Sequence, residues 1–282
     1  MTTTEIEQYF QFHNSNIKLI KIGFDHTYNQ IKALYRKQNK AGDYIYGLSD
    51  IDPEKKSIRK TEKALSRILS GIQVSWAEES IKRLLYEKNL LIDSQRTYLI
   101  TRTALVEKWY SSLKILFCIA YDLVPTNDPT CMTVNIESER HNLGDELVDQ
   151  YLELKRLITD FLTPNFTIRN KVQHGEWEFA FKPKFSEEYS QNLTDTVNHE
   201  NLVTTYSRFT LVNAFYQMLV DLGRFKSNSF ALDSITTPFE YFYYRYMLKI
   251  KFEINKILNP QLDDFIEEIV KRNLRGHSYK QS

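Results

Sequence analysis

The sequence predicts an all-α protein, and three observations lead to this. Apolar residues recur with helical spacing along most of the chain, for example between Ile17 and Lys37. Only 8 of the 282 residues are glycine, which is few for a turn-rich sandwich or barrel. No set of alternating strands sufficient for a sheet is found. The content of 42% hydrophobic and 26% charged residues is typical of a globular protein and excludes a wholly disordered chain.

Capping residues, prolines and glycines divide the chain into predicted elements. The predicted helices cover 17–37, 52–69, 75–89, 93–124, 145–162, 163–175, 198–222, 237–258 and 263–273. Asp52, Thr163 and Thr237 each precede a proline, the pattern of an N-cap followed by the first helical residue. Gly71 and Gly175 are expected to end the helices before them. Segments 41–50, 125–138 and 183–198 are predicted to be loops or irregular.

Charge and targeting features limit the functions and locations expected for this protein. The 37 Lys and Arg residues balance 36 Asp and Glu residues, so binding to nucleic acid or anionic membrane by bulk charge is disfavoured. The first eleven residues lack the order of a signal peptide, and the longest apolar stretch, 113–124, is too short to span a bilayer. Cys118 and Cys131 make neither a disulfide framework nor a zinc cluster. We therefore expect a cytoplasmic protein with no membrane contact.

Common motifs for nucleotides, metals and hydrolysis are missing. The sequence contains no GxxxxGK[ST], GxGxxG, HExxH or GxSxG pattern. Its six histidines show no metal-ligand spacing among themselves or with cysteine. We expect no cofactor and no bound metal ion.

One segment combines residue types suited to phosphodiester chemistry. It reads Ile-Arg-Asn-Lys-Val-Gln-His-Gly over 168–175. Arg169 carries a permanent charge and a planar fork that matches phosphate oxygens. His174 can take or give a proton near neutral pH, and Asn170 can orient the histidine or the substrate. Because RNA supplies its own 2′-hydroxyl nucleophile, these residue types suit its cleavage without a metal ion.

The spacing within this segment sets a geometric condition. Five helical residues rotate by about 140°, so Arg169 and His174 cannot share one face of a regular helix. Either the helix ends before His174, as Gly175 suggests, or the two side chains face one cleft from its sides.

The segment resembles the motif of the HEPN superfamily, which is Arg, a polar residue, three variable residues and His. The resemblance covers about 93–225, and it implies a HEPN-like helical bundle with additional N- and C-terminal helices. It also implies a homodimer with a composite site made of two copies of Arg169, Asn170 and His174. The implied activity is metal-independent RNA cleavage that leaves a 2′,3′-cyclic phosphate. Its expected setting is a toxin or an anti-phage defence effector restrained by an antitoxin or regulatory protein.

Basic and aromatic residues near the motif are candidates for binding RNA. They are Lys171, Lys182, Lys184, Arg208 and Trp177. The alternative is that these lysines are ordinary solvated residues and that Trp177 belongs to a core or an interface. The near-neutral charge favours selection of one structured or single-stranded RNA.

The sequence predicts three domain segments and leaves two other functions open. The segments are an N-terminal helical extension (1–92), a HEPN-like core (93–226) and C-terminal helices packed on it (227–282). One alternative function is a non-catalytic HEPN-like module for dimerisation or for binding RNA or a partner. The other is an unrelated helical interaction protein. Two observations keep this last function open. One is a second Arg-Asn-x-x-x-His match at 272–277, which we interpret as a chance copy. The other is the aromatic cluster at 239–246, which is expected to serve both a core and an interface.

Overall fold

The computed structural model describes residues 1–40, 53–176, 179–182, 185–225 and 238–278. In this part of the chain the α-helices are α1 (Thr3–Lys40), α2 (Pro53–Leu85), α3 (Asp93–Thr101), α4 (Leu105–Ala120), α5 (Arg140–Leu143), α6 (Asp145–Gln173), α7 (Gln191–Asn198), α8 (Leu202–Arg224), α9 (Pro238–Leu258) and α10 (Leu262–Ser278). A 3-10 helix, Ile136–Glu139, precedes α5, and the strands β1 (Phe181–Lys182) and β2 (Phe185–Tyr189) form an antiparallel hairpin. The all-α prediction is confirmed. Among these residues, no helix has both the length and the apolar composition to cross a membrane.

Helix α2 continues through a glycine that the sequence predicts to be a helix end. The predicted end at Gly71 and the predicted N-cap at Ser75 are both wrong. The Ser75 hydroxyl donates backwards, to the carbonyl oxygen of Gly71 at 3.2 Å. A glycine inside a helix costs only about 0.5–1 kcal/mol. Leu69 and Val74 are buried on either side of it, and burial of one such side chain contributes about 1.5–3 kcal/mol.

Helix α6 likewise passes through a proline expected to start a new helix. Pro164 lies inside the helix, and the predicted cap at Thr163 is wrong because its hydroxyl donates to the carbonyl oxygen of Thr159 at 2.6 Å. An interior proline removes one backbone hydrogen bond and costs about 3 kcal/mol. Leu162 and Ile168 are buried on the two sides of the proline, so packing offsets this cost.

The predicted single helix over 93–124 is two helices, α3 and α4. Arg102 and Ala104 have extended backbone conformations with ψ of 130° and 124°. The break allows Leu99 and Trp109, one on each helix, to be completely buried. The loop predicted after α4 is confirmed as far as the 3-10 helix.

The region 183–198 is more regular than the sequence predicts. Strand β2 pairs Tyr189 with Phe181 of β1, and the Ser190 side chain then caps α7 by accepting from the amide of Leu193. Asn198 ends α7, so its predicted role as the cap of the next helix is wrong. Asn201 is the cap of α8, since its side chain accepts from the amide of Val203 at 2.9 Å.

Both terminal helices are longer than predicted. Helix α1 begins at Thr3 and α10 continues to Ser278. The start of α9 at Pro238 agrees with the prediction. The predicted loop at 41–50 and the predicted caps Asp52 and Thr237 lie outside the described residues.

The chain divides into two compact units, each built from three segments. Unit 1 comprises Met1–Lys18, Trp76–Pro164 and Thr210–Phe252, and unit 2 comprises Leu19–Ser75, Asn165–Phe209 and Glu253–Ser282. In unit 1, Phe117 packs against Tyr121, Tyr151 and Phe239 at ring-centroid distances of 4.7–5.2 Å. The core of unit 2 is a buried cluster of Phe24, Ile31, Tyr35, Leu69, Leu202, Ile266 and Ile269. The three predicted domain segments stay a prediction.

Candidate active site

The predicted catalytic residues lie at the C-terminal end of α6, in unit 2. Asn170 is on the last turn of the helix, Arg169 directly precedes that turn, and His174 follows Gln173, the final residue of the helix. Of the two arrangements that the five-residue spacing allows, the helix end directly before His174 is the one observed. Asn170 and His174 are still linked, because the amide of His174 donates to the carbonyl oxygen of Asn170 at 3.1 Å.

The chain leaves the helix through a Schellman turn with His174 as the C-cap. Gly175 has a φ of +81°, in the left-handed region that favours glycine. The Gly175 amide donates to the carbonyl oxygen of Val172 at 3.2 Å, and the Glu176 amide donates to the carbonyl oxygen of Lys171 at 2.9 Å. These two bonds define the Schellman motif. The prediction that Gly175 ends the helix is confirmed.

An ion pair closes this turn. Lys171 Nζ lies 3.0 Å from Glu176 Oε2 and donates to Oε1 at 3.2 Å. In many Schellman motifs an apolar contact joins these same two positions, before and after the glycine. Lys171 is only 7% exposed, so the structure places this predicted RNA-binding residue inside the protein rather than on a surface rim.

The three motif side chains differ in exposure. Asn170 and His174 are exposed, and Arg169 is half-buried. Residues four apart on a helix are neighbours on its surface, so Asn170 and His174 lie on one face. Arg169 precedes Asn170 and is rotated from it by about 100° around the helix axis. An exposed imidazole beside an exposed amide, with a guanidinium at the edge of the same turn, can exchange protons with a ligand and bind its phosphate.

Arg208, the fourth predicted RNA-binding cation, belongs to a buried network. It is 6% exposed, and its Nε donates to Glu200 Oε1 at 3.1 Å. The other carboxylate oxygen of Glu200 accepts from the hydroxyls of Ser70 at 3.1 Å and Thr205 at 3.4 Å. Arg67 binds the backbone carbonyl oxygen of Glu200 at 3.1 Å. In this position Arg208 stabilises unit 2 and presents no exposed charge to RNA.

The hairpin after the motif carries the exposed part of the predicted RNA-binding rim. Lys182 is exposed and pairs with Glu188. Phe179 is exposed and meets the ring of exposed Tyr189 edge-on at 6.3 Å. Trp177 and Lys184 lie outside the described residues. Tyr189 was not predicted, because its position beside Phe179 depends on a hairpin that the sequence does not signal.

The second Arg-Asn-x-x-x-His match has a different backbone setting. Residues 272–277 lie inside α10, which remains helical to Ser278. Helix α6, in contrast, ends just before its histidine. The predicted end of the last helix near Asn273 is therefore wrong, and the match lacks a turn that would separate its histidine from the helix.

The aromatic cluster of α9 divides between two faces. Phe239, Phe242 and Tyr243 are buried, which confirms the core part of the prediction. The outer face leaves a row of exposed side chains, which we call the α9 stripe: Tyr241, Tyr244, Leu248 and Phe252. Its role as an interface stays a prediction.

Other histidines serve packing and hydrogen bonding. His13 bonds Glu79 at 2.9 Å and stacks on Tyr86. His199 Nε2 lies 2.8 Å from the carbonyl oxygen of Ile257. Within the described ranges, no three His, Cys, Asp or Glu side chains are grouped closely enough to hold a metal ion.

Comparison with known proteins returned no relative. No protein-family model, curated protein or solved structure matches the chain.

Proposed function

We propose that this protein is a metal-independent endoribonuclease of the HEPN type, with Arg169, Asn170 and His174 as its catalytic residues. One observation carries the proposal: a Schellman turn ends α6 at the motif and leaves His174 exposed beside exposed Asn170. This exposure gives a ligand access to the imidazole. The residue types and the turn together favour proton transfer at this point of the surface.

The reaction is transesterification within the RNA. The 2′-oxygen attacks the adjacent phosphorus, the bond from phosphorus to the 5′-oxygen breaks, and a 2′,3′-cyclic phosphate forms. The proton of the 2′-hydroxyl leaves to a base, and an acid returns a proton to the departing 5′-oxygen. His174 acts in proton transfer, while the Arg169 guanidinium stabilises the charge that builds on the phosphate oxygens. Asn170 orients the imidazole or the substrate.

A second copy of the chain is part of this proposal. One exposed imidazole in each motif cannot be both the base and the acid in the same step. A homodimer with two motifs facing one cleft supplies both groups and two guanidinium ions. RNA enters beside the hairpin, where Lys182 and the Phe179–Tyr189 pair offer a cation and exposed rings for base stacking. The toxin or defence setting, with an antitoxin or regulatory protein as restraint, belongs to the same proposal.

The test is cleavage of total RNA and labelled tRNA in EDTA. Arg169→Ala and His174→Ala should each lower the rate by about 100-fold or more. Asn170→Ala should lower it less, since it removes only an orienting group. His277→Ala is the matched control, because it alters the histidine of the second Arg-Asn-x-x-x-His match and should leave the rate unchanged.

Each variant must remain folded and keep the wild-type oligomeric state, checked by circular dichroism and light scattering. Equal cleavage by wild type and His174→Ala would contradict the proposal, as would full activity in a monomer. Absence of cleavage together with expression toxicity that depends on His174 would indicate a latent enzyme. Absence of both would favour the second candidate.

That second candidate is the non-catalytic HEPN-like module. The α9 stripe favours it, because Leu248 is 81% and Phe252 58% exposed, and exposed apolar rows of this kind often contact partners. In this case RNA or partner binding would survive His174→Ala and would be lost on polar substitution of Leu248.

A further inference from the structure

A cavity of about 670 Å³ opens in unit 1, away from the motif along the chain. Its walls come from the first three turns of α1, the connection between α2 and α3, the start of α3, and the ends of α4 and α8. The volume lies in the range of small-molecule pockets, about 300–1,000 Å³.

The body of this cavity is apolar. It is lined by Ile6, Phe10, Leu90, Leu91, Ile119 and Val124. Ile92 also lines it and is 57% exposed, so it lies at the mouth. A ligand that fills the cavity must therefore present mostly hydrocarbon or aromatic surface.

The connection that forms one wall is held by a buried arginine. Arg96 donates to the carbonyl oxygens of Leu85 at 2.8 Å and Leu91 at 3.0 Å, at the two ends of the connection. Asn89 within it has a left-handed φ of 60°, a conformation that asparagine tolerates better than most residues. The cavity is thus shaped before any ligand arrives, which lowers the entropic cost of binding.

Among the charged side chains that line the cavity, Lys88 is available to an anionic group. The Glu87 carboxylate accepts from Tyr216 Oη at 2.7 Å and from Arg224 Nη2 at 2.6 Å, so its negative charge is compensated within the protein. Lys88 is exposed on the cavity wall. Arg96 also lines the cavity, and its guanidinium is paired with Asp93. Glu7 is the remaining carboxylate there, and it is exposed to solvent. Two of the three lining cations, Arg96 and Arg224, are thus paired with carboxylates, and Lys88 is the cation that an anionic group can reach.

We propose that this cavity binds a small amphipathic anion, with an apolar body about the size of a long-chain fatty acid and one carboxylate or sulfonate group. The apolar body lies against Phe10, Leu90 and Ile119, and the anionic group lies at the mouth near Lys88. This inference is independent of the nuclease activity, since every residue that carries it belongs to unit 1.

The probe is 8-anilinonaphthalene-1-sulfonate, a fluorescent aromatic anion of suitable size. It should bind one site per chain and be displaced by oleate. Ile119→Trp fills the cavity and should weaken binding by about 10-fold or more, since it removes the space for the apolar body. Lys88→Glu should weaken binding by about 5- to 10-fold through charge reversal at the mouth. Lys249→Glu, at another exposed lysine of the same unit, should leave binding unchanged.

Two further variants test whether the probe binds in the cavity or at another surface. Ile92→Glu puts a negative charge at the exposed mouth, so it tests the site even if Ile119→Trp fails to fold. Leu248→Gln removes the most exposed residue of the α9 stripe, a competing apolar surface, and should not change binding. Failure of wild type to bind the probe, or binding that resists both Ile92→Glu and Lys88→Glu, would overturn the proposal. Binding lost only with Leu248→Gln would assign the probe to the α9 stripe and also overturn it.

Discussion

The ammonium group of Lys171 lies 3.0 Å from the carboxylate of Glu176 and closes the turn that presents His174. Both side chains are largely buried, with 9% and 18% of their surfaces exposed. The pair spans the left-handed Gly175, so it holds the backbone on both sides of the proposed catalytic histidine. Lys171, which the sequence predicts to bind RNA, is thus part of the turn itself.

Breaking this pair should destabilise the fold. Lys171→Met or Glu176→Gln should each lower the free energy of unfolding by about 1–3 kcal/mol, because a largely buried charge loses its partner. The double variant should lose less free energy of unfolding than the two single variants together, and this difference, the coupling energy, should be about 1 kcal/mol. Urea unfolding of all four proteins measures this coupling.

The exposed pair Lys182–Glu188 is the matched control for this measurement. Its side chains are 50% and 54% exposed, and exposed pairs typically couple by about 0–1 kcal/mol. A coupling at Lys171–Glu176 no larger than that at the control pair would contradict the role assigned to the turn.

Gly175 and Gly71 should respond in opposite directions to alanine. A Cβ at either position meets no atom within 4 Å, so only backbone conformation decides the effect. Gly175→Ala forces an L-residue to a φ of +81° and should cost about 1–2 kcal/mol. Gly71→Ala lies inside α2 and should stabilise the protein by about 0.5–1 kcal/mol. Thermal melts of both variants provide the check, and the same sign for both would be inconsistent with the two assigned conformations.

Glu79 should make stability depend on pH in the acid range. Burial acts to raise the pKa of its carboxyl, but hydrogen bonds from His13, Lys82 and Asn16 outweigh this and lower the pKa from 4.5 to about 2. A carboxyl with a depressed native pKa adds stability above its unfolded pKa and loses it as the pH falls towards the native value. The wild type should therefore exceed Glu79→Gln in stability at pH 6, and the difference should shrink between pH 4.5 and pH 2. Urea midpoints across this range measure it; a constant difference would refute the assignment.

The two cysteines should be protected in the native protein. Cys118 and Cys131 are free thiols and fully buried, and the hydrogen bond to Cys131 raises the pKa of the Cys118 thiol. Only the exposed thiolate reacts quickly, so reaction with Ellman's reagent should be about 100-fold slower in the native protein than in denaturant. Cys131→Ser reports Cys118 alone, and fast labelling of that variant while it remains folded would show that the thiol is accessible.

The sequence predicts the helix end at Gly175 but not the continuation of α2 through Gly71 and of α6 through Pro164. Gly175 ends α6 as expected because a left-handed C-cap depends on the residue itself. Gly71 and Pro164 do not end their helices, because buried neighbours on both sides favour continuation. Local preferences of a few kcal/mol are overridden by packing that cannot be read from neighbouring residues.

The same limit applies to the candidate site. The motif residues can be identified from their types and spacing, and the predicted helix end falls at the right place. The burial of Arg208 could not be foreseen, since it depends on Glu200 and Ser70, which meet it only in the folded unit. The pairing of Lys171 with Glu176 has a local signal, opposite charges five positions apart around a glycine, but surface lysines are so common that the signal is weak.

The end groups of the RNA fragments distinguish the proposed transesterification from other cleavage reactions. If Arg169 and His174 activate the 2′-hydroxyl, wild-type protein in EDTA should produce fragments with 2′,3′-cyclic phosphate and 5′-hydroxyl ends. His174→Ala should produce about 100-fold fewer such ends, and His277→Ala as many as wild type. Fragments with 3′-hydroxyl and 5′-phosphate ends, or cyclic ends formed equally by His174→Ala, would rule out catalysis by this motif.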